Sequence, residues 1–209
     1  MTVSALIERE LSAATLPIRN GVFVAVVGPS GAGKDTIIDY ARSSFADAGA
    51  VAFVRRVITR PSDASSEDHD TLTDDDFAEA EQAGAFAVSW SAHGLSYGLP
   101  ISLDRSIAEG HVAVANMSRS AIPLVSARYA NVIVAEITAS AEILAERLAR
   151  RGRESRGEVL ARLARSAELG LCAPGAVTID NSGPPEEAGE RFVAVLRKAI
   201  AMSDLAASL

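Results

Sequence analysis

Gly28-Pro29-Ser30-Gly31-Ala32-Gly33-Lys34 follows the pattern G-x-x-x-x-G-K, a spacing whose chemistry is phosphate binding. Glycines let successive backbone N–H groups turn inward around an anion, and a helix starting at the end of the loop adds partial positive charge. Lys34 is placed to bridge the β- and γ-phosphates of a triphosphate as a point charge. Gly28, Ser30, Gly31, Ala32, Gly33 and Lys34 are therefore expected to cradle ATP. The next position ordinarily carries a Ser or Thr hydroxyl on Mg²⁺, but here it is Asp35, followed by Thr36. A carboxylate beside a triphosphate is repelled unless a cation stands between them. Asp35 is thus expected to act on Mg²⁺ directly or through water, with Thr36 as the competing candidate. The plainer reading of Asp35 is an acidic residue favoured in a first helical turn.

The remaining charge is unevenly spread. The chain carries a net charge of −7, yet basic residues cluster at Arg55, Arg56 and Arg60 and again from Arg147 to Arg165. Basic islands in an acidic chain suit a small anionic ligand, and no Lys/Arg block reaches the length of a nucleic-acid tail. The single cysteine, Cys172, excludes an intramolecular disulfide and a cysteine-based metal site. No apolar run approaches the roughly 18 residues of a membrane span. The N-terminus shows no basic start followed by an apolar stretch, so a cytoplasmic protein without a membrane partner is expected.

These residues need a scaffold. With 209 residues, 48% of them apolar, the chain suits one domain with a buried core. Residues 4–14 read as a short amphipathic helix ending near Pro17 and the Asn20-Gly21 turn signal. Val22–Val27 is a continuous apolar run of the kind buried on both faces of a parallel sheet. A helix is expected from Lys34 to about Ala46, directly after the glycine-rich turn. Further apolar runs lie at Val51–Ile58, His111–Ala115, Val132–Ile137 and Ala176–Ile179. Helical patterns separate them: Asp74–Ala83, Leu103–Glu109, Ser120–Ala127, Ala141–Arg150, Arg156–Leu169 and Pro185–Met202. Alternation of this kind predicts an α/β domain with a parallel central sheet flanked by helices. Pro61–Asp70 is expected to be a polar loop. The organisation expected is an N-terminal helical extension over residues 1–20 and one domain over 21–209.

The loop sequence resembles that of guanylate kinases among the P-loop NTPases. Ile58-Thr59-Arg60-Pro61 resembles the segment that grips the acceptor phosphate, and Tyr97-Gly98 the pair that closes the acceptor site. Arg147-Leu148, Arg151-Gly152 and Arg162-Leu163 resemble an arginine-bearing lid. The resemblance implies an acceptor region at about 59–100 and a lid at about 147–165. The departures point away from GMP: Val88 stands where guanylate kinases read the guanine edge with a glutamate, Asp63 replaces an arginine, and His69 replaces a phosphate-binding tyrosine. Guanine against valine would leave its N–H groups unsatisfied, at about 1–3 kcal/mol each.

A second resemblance covers these departures. Gly33-Lys34-Asp35-Thr36, Arg56-x-Ile58-Thr59-Arg60, Glu67-Asp68-His69, Ser89-Trp90-x-Ala92-His93-Gly94-x-x-Tyr97-Gly98 and Asn116-x-Ser118-Arg119 occur in order. Arg147-Leu148, Arg151-Gly152-Arg153-Glu154 and Arg162-Leu163-Ala164-Arg165 continue the series, which is similar to the ribose 1,5-bisphosphate phosphokinase family of bacterial phosphonate catabolism over roughly residues 22–182. That resemblance implies phosphoryl transfer from ATP to ribose 1,5-bisphosphate, giving 5-phosphoribosyl 1-diphosphate. Arg56, Arg60, His69, Tyr97, Asn116 and Arg119 would then hold the sugar phosphates or orient ligand. Lys34, Arg147, Arg151 and Arg162 would stabilise the transferred group. The arginines of the last series could equally form i, i+4 pairs with Glu142, Glu146, Glu154 and Glu158. His93 next to Gly94 suits a turn, Trp90 suits the core, and Asp180-Asn181-Ser182 is a weak candidate for adenine contact. Two alternatives stay open: a nucleoside monophosphate kinase with altered base preference, and a non-catalytic binding module.

Overall fold

The computed structural model describes residues 16–46, 49–60, 69–150 and 175–207. The expected helices at 4–14 and Arg156–Leu169, together with Asp63, Arg151, Arg162 and Cys172, lie outside the described residues. In chain order the elements are β1 (Val22–Val27), α1 (Lys34–Ser44), β2 (Val51–Phe53), β3 (Arg56–Ile58), β4 (His69–Thr71) and α2 (Asp74–Gln82). The hairpin strands β5 (Phe86–Ala92) and β6 (Leu95–Pro100) follow, then α3 (Ser102–Ala108), β7 (Val112–Asn116) and α4 (Ile122–Arg128), entered through a 3₁₀ turn at Arg119–Ala121. The chain continues through β8 (Val132–Thr138), α5 (Ala141–Arg150), β9 (Val177–Asp180) and α6 (Pro185–Ala207).

The central sheet has the order β2-β7-β1-β8-β9, and all its pairings are parallel. β1, buried at all six positions, sits in the middle because it can offer apolar side chains to both faces. Its alternate residues Val22, Val24 and Val26 join one core with Ile37 and Ala41 of α1 and Phe192, Val193, Leu196 and Ala199 of α6. Phe23, Ala25 and Val27 join a second core with Val88, Trp90, Leu99, Leu103, Ile107 and Tyr129. This two-sided burial locks the strand that carries the glycine loop. Gly189 brings α6 against α1: a Cβ there would lie 2.5 Å from the Tyr40 ring.

Two expectations are corrected. The run Val51–Ile58 is not one strand. Val54 N donates to Val114 O at 2.9 Å as the last tie to the central sheet, and the chain then crosses into a second sheet, ordered β4-β3-β6-β5. Much of that sheet carries no continuous apolar run, because β5 and β6 are mixed in polarity. They are joined by a two-residue turn in which His93 (φ 54°) and Gly94 (φ 75°) are both left-handed, the geometry that matches strand twist. The second correction concerns the expected loop Pro61–Asp70. Its last residues, His69 and Asp70, belong to β4, paired in parallel with β3.

Candidate active site

The glycine loop lies where β1 ends, at the carboxyl edge of the parallel sheet, the edge at which open α/β sheets bind ligands. Gly28, Gly31 and Gly33 have φ of 143°, 85° and 88°, a region costly for residues with a Cβ. At Gly28 the close approach is decisive, since a Cβ would sit 2.1 Å from the Ile137 carbonyl oxygen. Gly33 caps α1, and a Cβ there would meet Asn181 Nδ2 at 2.4 Å.

Side chains grip the loop through its carbonyl groups. Lys34 Nζ donates to Gly28 O at 3.0 Å and Pro29 O at 3.1 Å. Asn181, buried just past β9, donates from Nδ2 to Ala32 O at 2.7 Å. Arg147 on α5 donates to Gly31 O and Ala32 O at 3.4 Å each and to Asn181 O at 3.0 Å. Among the described side-chain pairs of α5, the i, i+4 glutamate partner falls to Arg150, bonded to Glu146 at 2.6 Å. Arg147 instead leans on the loop.

Asp35 Oδ1 accepts from Asn116 Nδ2 at 2.7 Å. Asn116 is the last residue of β7 and is buried, so it fixes one carboxylate oxygen of Asp35 and leaves the other as the one that could meet a cation. Thr36, one helical position further, is exposed. A small cavity beside this pair is lined by Asp35, Asp39, Arg42, Arg56 and Asn116, among others. The donor set suits Mg²⁺, a hard cation that keeps several waters and takes one or two carboxylates.

The second sheet assembles the other basic and aromatic candidates by register. Arg56 on β3 lies directly beside His69 on β4, and both side chains are buried. Ile58 pairs with Tyr97 of β6. Thr59 N donates to Ser96 O at 3.1 Å, and Thr59 Oγ1 accepts from Ser96 N at 3.0 Å, which ties the Thr59-Arg60 corner to the strand carrying Tyr97. Tyr97 stacks on Trp90, with ring centroids 5.3 Å apart and planes 7° from parallel. Trp90 is core, as expected. His93 serves the hairpin turn. Val88 is 6% exposed within the apolar cluster.

Sequence reasoning missed Glu136. It is a single charge inside the apolar strand β8 and 1% exposed, and it binds Arg119 Nη2 at 2.6 Å. A carboxylate within Val132–Ile137 was a legible signal, since buried acids are rare unless paired. The structural role of Asn181 as a clamp on the loop was also unforeseen.

No family model matches the chain. Curated relatives do. The chain is 55% identical over 203 residues to ribose 1,5-bisphosphate phosphokinase PhnN of Chelativorans sp., covering 97% of each chain. It is 45% identical to the protein of that name from Agrobacterium fabrum, over 86% of this chain and 98% of the relative. A third, from Brucella melitensis, is 53% identical over 78% of this chain and 85% of its own length. Among solved structures, guanylate kinase from Anaplasma phagocytophilum superposes with a TM-score of 0.59 at 18% identity over 85% of each chain, a likeness of fold.

Proposed function

The chain belongs to the ribose 1,5-bisphosphate phosphokinase family, and from that premise we propose that it transfers the γ-phosphoryl group of ATP to ribose 1,5-bisphosphate, yielding ADP and 5-phosphoribosyl 1-diphosphate. Among the structural observations, the burial of Val88 carries this reading furthest against a nucleotide acceptor. The position that would read a base edge is an apolar side chain packed among Leu99 and Trp90, with no donor or acceptor of its own. A sugar bisphosphate asks nothing of that position.

The acceptor nucleophile is a phosphate oxygen. With a second pKa near 6 it is already largely dianionic at neutral pH, so no general base is required. The difficulty is to bring several anionic groups into line, and catalysis then rests on positioning and charge stabilisation. Lys34 exchanges its carbonyl partners for the β- and γ-phosphates. Arg147 holds the loop in shape from its carbonyl side, and Arg151 and Arg162 supply further positive charge. Asp35, steadied by Asn116, would hold Mg²⁺ through its second oxygen, with Thr36 as the lesser candidate; bound there, the ion would neutralise charge on the donor phosphates. Arg56, Arg60, His69, Tyr97 and Arg119 hold the two phosphates of the sugar. Residues 59–100 and 147–165 are then the acceptor-binding and lid parts of one kinase domain, and the protein works in the cytoplasm, where ATP is available.

The test is ADP release with ATP and Mg²⁺, comparing ribose 1,5-bisphosphate with GMP and AMP and identifying the product. Turnover of the bisphosphate to the diphosphate sugar is expected. Preference for GMP would overturn the argument from Val88.

A further inference from the structure

Glu136 and Arg119 form an ion pair of unequal burial beside the phosphate loop. Glu136 is adjacent in register to Val27, the residue immediately before Gly28. Its side chain is 2% exposed, while that of Arg119 is 31% exposed. The single bond runs from Arg119 Nη2 to Glu136 Oε1 at 2.6 Å. Two complementary buried atoms remain without hydrogen-bond partners, Arg119 Nε and Glu136 Oε2. The fork is thus half made.

A buried acid is a costly choice at the edge of a site for anions, since its charge opposes the ligand. An unsatisfied carboxylate oxygen adds a further penalty. The arrangement makes physical sense if the carboxylate anchors the arginine. Glu136 is almost fully buried on β8, whereas the Arg119 guanidinium just past β7 is partly exposed. One charge-assisted bond fixes its position, and the 31% exposure of the side chain leaves part of the guanidinium open to a ligand. We propose that Glu136 is a positioning residue for the acceptor: it acts through Arg119, setting the guanidinium for a phosphate of the sugar bisphosphate, and takes no part in binding ATP. This inference rests on the acceptor reading given above.

The test uses the full chain with E136Q, E136M, R119M and the double variant E136M/R119M, measuring KM for each substrate, kcat and thermal midpoint. E136M is expected to raise KM for ribose 1,5-bisphosphate about tenfold or more, with KM for ATP within about twofold. E136Q keeps an oxygen acceptor without the charge and is expected to fall between E136M and the parent. The double variant is expected to be no worse than R119M, because residues acting through one another are not additive. R119K provides a second route should E136M fail to fold. It keeps the ion pair but loses the fork, so KM for the bisphosphate should rise, and adding E136Q should raise it little further. Additive effects, or equal changes in both KM values, would overturn the positioning role and leave Glu136 as a structural charge. Absence of bisphosphate turnover in the parent protein would overturn the acceptor reading, and this inference with it.

Discussion

The proposed donor and acceptor sides of this molecule are built by opposite means. The donor side is one continuous stretch, Gly28 to Thr36, whose shape is enforced by left-handed glycines and by carbonyl contacts from Lys34, Asn181 and Arg147. The proposed acceptor side has no continuous motif. Arg56, His69 and Tyr97 come from three short strands and meet only through the pairings Arg56↔His69 and Ile58↔Tyr97. A local loop survives small changes elsewhere but tolerates none within itself. A site made by register depends on every strand that sets it.

The sharpest break of this contrast is Lys34→Met. It is expected to lower kcat by roughly 10²–10³-fold while leaving the thermal midpoint nearly unchanged, because its bonds to Gly28 O and Pro29 O are only part-buried. A large loss of stability alongside activity would show that the loop depends on Lys34 for its fold.

Val88→Glu tests the acceptor side. Burying a carboxylate in the cluster with Trp90 and Leu99 should cost about 3 kcal/mol or more in urea unfolding, with no gain of GMP turnover. A stable variant that phosphorylates GMP would mean that the position faces the ligand after all.

Arg60→Lys separates the two sides kinetically. Losing the planar fork should reduce kcat/KM for the sugar bisphosphate roughly ten- to hundredfold, with KM for ATP little altered. Asn181→Ala should do the reverse at smaller scale: about 1 kcal/mol of stability lost with the bond to Ala32 O, and a severalfold rise in KM for ATP alone.

The smallest expected effect lies away from both sites. Burial, and then a hydrogen bond to Asp104, raise the Tyr129 hydroxyl above its ordinary value. The stability this contributes is complete below the unfolded tyrosine's pKa of about 10 and is lost as pH rises beyond it, because only the unfolded chain then ionises. Tyr129→Phe should therefore flatten the alkaline limb of stability against pH. An unchanged limb would mean that other groups govern it.

Much was legible without the fold. The glycine loop, the buried strand before it, the helix after it and the alternating α/β order depend on local spacing, and a G-x-x-x-x-G-K loop carries its conformation in its own φ angles. The relatives at 45–55% identity bear out the family to which the scattered motifs pointed. What the chain alone concealed is what only pairing creates. The run Val51–Ile58 gives no sign that it changes sheets at Val54, because the reason lies in a partner strand some sixty residues further on, Val114. His69 read as a loop residue because its strand partner, Arg56, lies thirteen positions earlier. Arg147 read as a lid residue, and it was the placement of α5 against the loop that turned it toward Gly31 and Ala32. Glu136 showed an odd charge in an apolar strand, yet its partner could not be named until β8 lay beside β1 and the turn after β7 came round to meet it. Local geometry is written in neighbouring residues; the choice of partner is made by packing, where distant segments compete to satisfy the same buried charge.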